Sequence, residues 1–222
     1  MLALLLAAAL SLPLPPGPLQ PAARFDAAIE RIDSATASTM TGSSWRPGCP
    51  VGLEDLRVVR LRYWGFDRRI HRGRLVVHRE VALPIVDIFH RMFDARFPIA
   101  RMRLVDAYDA DDDRSTRANN TSAFNCRAIT GGSTWSRHAY GMAIDINPVQ
   151  NPYVYADGSV LDPAAVPYLD RTRRAPGMIH DGDVVDRAFA AHGWRWGGRF
   201  RTIKDYQHFD HSGRTLEWTW RT

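Results

Sequence analysis

Two short segments hold the residues whose types and spacing could do chemistry. The first, residues 136–147, reads SRHAYGMAIDIN. His138 and Asp145 offer an imidazole nitrogen and a carboxylate oxygen, both ready ligands for zinc. Gly141 permits a sharp turn between them. Ala143, Asp145 and Asn147 alternate with Ile144 and Ile146, which fits a strand with the isoleucines in the core. A charged residue in so apolar a strand needs a partner, and a metal is a strong candidate. On spacing alone the segment also reads as a surface strand whose Asp is solvated or paired with an arginine. The second segment, residues 204–211, reads KDYQHFDH. Asp205 and His208 stand three apart, with Tyr206 and Phe209 as candidate core anchors. A histidine ligand beside a carboxylate that activates water recurs in hydrolytic zinc sites. His211 is a rival ligand within the same segment. His71, His78, His90, His180 and His192 are read as solvated or hydrogen-bonded surface residues.

Taken together, Ser136, His138, Gly141, Ala143 and Asp145 (S-x-H-x-x-G-x-A-x-D), followed by Asp205 and His208 (an acid, two residues, then His), resemble the paired signatures of a known family. These are the zinc D-alanyl-D-alanine carboxypeptidases, whose relatives include vancomycin-resistance dipeptidases and phage L-alanyl-D-glutamate endopeptidases. The resemblance covers residues 81–209, and both motifs stand in the right order. It implies Zn2+ held by His138, Asp145 and His208, Asp205 as general base, a small α+β sheet fold, and peptidoglycan stem peptides as substrate. The activity it implies is that of a D-alanyl-D-alanine carboxypeptidase. An L-alanyl-D-glutamate-type endopeptidase is the alternative, and a non-catalytic zinc-containing wall-binding module is the alternative of another class. Asp205 speaks against the last, because a binding module has no use for an acid beside the third ligand.

One departure from the family pattern concerns arginine. Relatives place a substrate-binding Arg just after the strand preceding a long loop, where this chain reads Asp106-Ala107-Tyr108-Asp109. Arg127 is the replacement candidate, both as catalytic residue and as substrate contact, since guanidinium binds carboxylates bidentately. Arg114 and Arg117 are its rivals. Ser136 and Trp196 are further candidate substrate contacts, with Trp196 on the cleft wall and Trp194 in the core. The run Asp111 to Asp113 lacks the spaced ligands of a calcium loop and reads as a solvated turn.

These residues must be positioned by a fold, and the pattern predicts an α+β domain: a small antiparallel sheet flanked by helices, with the zinc site on the sheet face. Residues 25–32 (FDAAIERI) have helical spacing, and residues 34–44 are rich in Ser, Thr and Gly and read as a loop or linker. Residues 56–64 and 75–78 read as the two strands of a hairpin. A helix is expected over 81–93, starting near Pro84. Further strands are expected at 99–105, 141–146 and 206–210. A helix over 183–192 would be capped by Asp183 and stopped by Gly193. The division expected is a signal peptide at 1–23, an N-terminal helix and linker at 24–48, and a zinc peptidase domain at 49–222.

Composition bounds the rest. The chain has 222 residues, 45% of them hydrophobic, enough to bury a core. Its uncharged start, with an apolar run at 2–12 and small residues Ala22 and Ala23, fits a secretory signal, so export to the cell exterior or wall is expected. In an exported protein the two cysteines, Cys49 and Cys126, suit one disulfide. The net charge of +5 is mild and spread along the sequence. It shows no clustered Lys/Arg face, which disfavours a nucleic-acid partner. No stable membrane insertion is expected, and a monomer is.

Overall fold

The computed structural model describes residues 23–212, so the expected leader lies, but for Ala23, outside the described residues. The fold is α+β, with two three-stranded antiparallel sheets and two small strand pairs. The first sheet runs β1 (Ala27–Arg31), β2 (Leu56–Trp64), β3 (Ile70–His78), in that spatial order. The hairpin of β2 and β3 follows the expected alternation: Val59, Leu61 and Leu75 point into the main core.

Two departures fall before this hairpin. Residues 27–31, expected as helix, are β1, which pairs with β2 from Ala27↔Leu61 to Arg31↔Arg57. A five-residue apolar pattern fits either period, and pairing to an open sheet edge decides it. Residues Ser34–Met40, expected as linker, are the helix α1, whose N-cap Asp33 accepts from the Thr36 amide at 2.7 Å. Met40 closes a second core cluster over Leu56, Val58 and Val76. Residues 24–48 thereby pack into the same body as the strands that follow. The ladder also sets Arg60 opposite Arg74 and Arg62 opposite Arg72. A basic face thus exists where none was expected, because arginines about a dozen apart in the chain become cross-strand neighbours.

Helix α2 (Ala82–Asp94) carries Pro84 in its first turn, where proline removes no intrahelical bond. It buries Ile85, Ile88, Phe89 and Met92 against the first sheet, each contributing about 1.5–3 kcal/mol. The strand expected at 99–105 shrinks to β4 (Arg101–Met102), paired with β5 (Asn120–Thr121). The long polar stretch after it is not a bare loop. It holds α3 (Asp112–Arg117), capped by the Asp111 carboxylate on the Arg114 amide, so the acid run begins a helix rather than making a turn.

The second sheet is β6 (Ala143–Asp145), β10 (His208–His211), β8 (Trp194–Trp196), with β10 in the middle. Helix α4 (Val184–Ala190), capped by Asp183 on the Asp186 amide, covers it through Phe189, which stacks on Phe209 at 4.0 Å. Strand β7 (Tyr153–Val154) pairs with β9 (Lys204–Asp205) at the edge of the cleft. Cys49 and Cys126 form the expected disulfide.

Gly141 joins the two sheets. Its carbonyl accepts from the His78 amide at 2.9 Å, and its φ is +66°. A Cβ there would stand 2.5 Å from the His78 nitrogen and 3.0 Å from the Val77 carbonyl carbon. Gly141→Ala therefore meets both left-handed strain and a backbone clash. We expect it to lower stability by about 2 kcal/mol or more, read as a shift of the denaturant midpoint.

Candidate metal centre

The second sheet brings the two sequence motifs together. In its ladder His208 lies directly opposite Asp145, and Phe209 opposite Ile144. Alternation along β10 turns His208 and Asp210 to the cleft and Phe209 to the core. His138 arrives from a short 3-10 turn, Arg137–Tyr140, that ends at Gly141. The turn is held by Ser136, whose Oγ accepts from the His138 amide at 3.3 Å.

Three donor atoms converge. His138 Nε2 is 3.1 Å from Asp145 Oδ2, and His208 Nδ1 is 3.0 Å from Asp145 Oδ1. The two histidine nitrogens are 3.3 Å apart. Ligand atoms of all three residues lie within 4.8 Å of one another, the one such group among the described residues. Two imidazoles and a carboxylate on one side of a cleft are the donor set of a catalytic zinc site, which keeps a further position open. His211 is not part of the group: it falls on the opposite face of β10, its ring 5.6 Å from that of Trp194.

Outer contacts fix how each ligand is presented. His138 Nδ1 sits 2.5 Å from the Ala123 carbonyl. A carbonyl can only accept, so Nδ1 carries the proton and Nε2 keeps its lone pair for the site. His208 Nε2 faces the Asp210 carboxylate at 3.7 Å, and Arg195 holds Asp210 through two hydrogen bonds of 2.9 Å. Burial would raise the Asp210 pKa, but the His208 and Arg195 contacts win and bring it down to about 2. Burial likewise works against the charged forms of Asp145 and His208. Their mutual contacts, with His138 on Asp145 and Asp210 on His208, prevail, holding the Asp145 pKa well below and the His208 pKa well above the usual range. The ionised carboxylate is the form a metal requires.

Asp205 reaches the same cleft from β9. The Asp205 backbone packs so closely on Gly197 that a Cβ there would stand 2.5 Å from the Asp205 carbonyl oxygen. The Asp205 Oδ1 is sealed from solvent and has no hydrogen-bond partner. Burial pushes its pKa up to about 7, the charge of Asp145 adds to that, and the nearby His208 opposes it. A carboxyl brought toward neutrality in this way can exchange a proton there.

The cleft encloses about 330 Å³, with Arg127, Asp112 and Ser136 on its walls beside the candidate ligands. Arg127 reaches it as expected, but its guanidinium is engaged. Nη2 is 2.8 Å from Asp112 Oδ2, and Nη1 donates to the Ala128 carbonyl. Arg114 pairs with Asp109 on the exposed surface, and neither it nor Arg117 lines the cleft. The partner role of Asp112 was hidden in a run of acids with no distinguishing neighbour; the helical spacing of α3 was the available signal. Ser136 lines the cleft, with its hydroxyl oxygen engaged in capping His138. Trp196 does not line it: the side chain is buried, its Nε1 donates to the Tyr206 carbonyl at 2.8 Å, and its ring packs near Phe209. In β8 both tryptophans turn inward and Arg195 turns out, so alternation removes Trp196 from the wall. Tyr153, Tyr155, Leu161, Phe200 and Ile203 supply the apolar lining instead.

Residues 130–211 match the family whose model is described as D-alanyl-D-alanine carboxypeptidase, a stretch that contains His138, Asp145, Asp205 and His208. No curated protein and no solved structure matches the chain.

His138→Ala, Asp145→Ala and His208→Ala should each abolish stoichiometric zinc by metal analysis, while His211→Ala retains it. Asp210→Asn should keep the fold and weaken zinc binding about 10- to 100-fold, measured by competition with a chromogenic chelator.

Proposed function

We propose that this protein is a zinc-dependent peptidase that hydrolyses peptidoglycan stem peptides. The observation that carries the reading is the Asp205 carboxyl, with one oxygen sealed from solvent and unpartnered, in the same cleft as the His138, Asp145 and His208 donors. The match of residues 130–211 to a peptidase family supports it. Zinc, when bound, would supply Lewis acidity toward a carbonyl and lower the pKa of water to about 7. In this reading Asp205 takes the proton of the attacking water and passes it to the leaving amine nitrogen. Arg127, on the cleft wall, steadies the negative charge that develops on the carbonyl oxygen. The apolar lining of Tyr153, Tyr155, Leu161 and Phe200 holds the peptide and keeps bulk water from the reacting bond.

Within this class we favour cleavage at the D-Ala-D-Ala end, in line with the description of the matched family. A specific observation favours the endopeptidase reading as well: Asp112 occupies one arm of the Arg127 fork, which leaves less of it for a free terminal carboxylate. We also place the protein outside the cytoplasm. The apolar run at residues 2–12 and the Cys49–Cys126 bridge support that placement, because disulfides persist in oxidising compartments.

Mass spectrometry of purified muropeptides after digestion identifies the bond, and a pentapeptide ending in D-Ala-D-Ala compared with its C-terminal amide separates the two readings. Preference for the free acid supports the carboxypeptidase; equal cleavage, or cleavage only between L-Ala and D-Glu, supports the endopeptidase. Asp205→Asn should retain zinc and lose turnover by about a hundredfold or more. Asp205 must be ionised to accept a proton, so kcat/KM should fall as pH drops through its pKa. Burial raises that pKa and a bound cation lowers it, which places the acidic limb at or below neutrality. The limb should vanish from the residual activity of Asp205→Asn.

A further inference from the structure

The outer face of the β2–β3 hairpin carries a charge that the metal centre does not use. Residues 57–79 contain eight arginines and one acid, Asp67, a net +7 within a chain of net +5, so the remainder sums to −2. Four of these arginines stand on one face in two directly opposed pairs, Arg60↔Arg74 and Arg62↔Arg72. Like charges directly opposite across a ladder destabilise it, so the arrangement favours an anion between them. The acids of β1 and its approach compensate only in part. Glu30 is 2.7 Å from Arg60, while Asp26 stands at 3.8 Å from Arg62 and 3.6 Å from Arg72, beyond good hydrogen-bond range. The Arg72 side chain is 72% exposed. A groove of about 420 Å³ lies between these side chains, with Ala28 on the same face as Arg60.

We propose that this face binds a linear phosphodiester polymer laid along the β2–β3 ladder. Rows two residues apart on a strand are about 7 Å from each other, comparable with the step between successive phosphates on an extended chain. Two guanidinium pairs in register can therefore engage two neighbouring phosphates, and the planar fork of arginine suits phosphate oxygens. The cross-strand rows Arg62–Arg72 and Ala28–Arg60–Arg74 contain no aromatic ring, and the ring of Trp64 in the next row is taken up by Phe93 and Arg96, so no free ring offers a base a stacking surface there. That favours a polymer recognised by its backbone, such as poly(glycerol phosphate), over single-stranded nucleic acid. The face belongs to the first sheet and the candidate metal ligands to the second, so binding here would hold the enzyme to an anionic matrix while the cleft stays open.

The test is titration of the full chain with poly(glycerol phosphate), with a single-stranded oligonucleotide of equal charge and with inorganic phosphate, across about 0.05 to 0.2 M salt. The polymer should bind with a log–log salt slope of about −1.4, as for two neutralised phosphates on a single-stranded chain. R72Q/R74Q should weaken binding roughly tenfold or more at 0.1 M salt and cut the slope by about half. R62Q/R72Q, which removes one cross-strand pair entirely, should do the same. R173Q/R174Q, with the same loss of charge on exposed residues elsewhere, should leave binding intact. Absence of polymer binding, equal weakening by R173Q/R174Q, tighter binding of the oligonucleotide than of the polymer, or displacement by equimolar inorganic phosphate would each overturn the proposal. Zinc content and circular dichroism of every variant establish that the fold is retained.

Discussion

The cross-strand pairing of His208 with Asp145 is the constraint on which the rest of the site depends. Directly opposed residues in an antiparallel ladder hold their Cβ atoms about 5 Å apart, a separation at which an imidazole and a carboxylate can share an ion. The register is enforced from the other side of the sheet. Phe209 lies opposite Ile144, both fully buried, with Phe189 stacked on Phe209. A slip of one residue would exchange faces, putting Phe209 in the cleft and His208 in the core. The burial of one aromatic ring therefore fixes the position of two ligands 63 residues apart in the chain.

Around that pairing the polar groups are arranged in layers. Arg195 holds Asp210, Asp210 faces His208, and His208 meets Asp145, which also receives His138. Each buried charge has an opposite partner, which is what allows so many ionisable groups to lie under one cleft. Asp205 is the exception, with an oxygen that is both sealed and unpartnered. The surrounding network keeps Asp145 ionised and turns the free Nε2 of His138 to the site, and it leaves the uncompensated position to Asp205.

The candidate site was more legible than the fold around it. His138, Asp145, Asp205 and His208 could be singled out because metal ligands and a general base need particular side chains at particular intervals. The strand of the first motif could be read because Ile144 and Ile146 bracket Asp145. What the sequence hid depended on neighbours distant in the chain. Ala27–Arg31 has no feature that distinguishes strand from helix until β2 offers an edge. Ser34–Met40 is a poor helix former in isolation, stabilised by the Asp33 cap and by Met40 in the second cluster. Trp196 was misplaced because a tryptophan near a cleft serves equally as wall or core, and only the parity of β8 decides. The Arg127–Asp112 pair and the opposed arginines of the hairpin are likewise products of packing.

The cleft is made of two kinds of structure. Asp145 and His208 stand on a strand ladder and His138 on a turn bolted to it, whereas Tyr155, Leu161, Phe200 and Ile203 belong to connecting segments. The chain between Asp145 and His208 leaves the ladder and returns to it, and the register at either end does not depend on its length. Insertions in those connections, or new side chains on them, would reshape what the cleft admits without displacing a ligand atom. Such a division lets the chemistry stay constant while selectivity drifts, so a family built on this plan can acquire new substrates by changing loops alone.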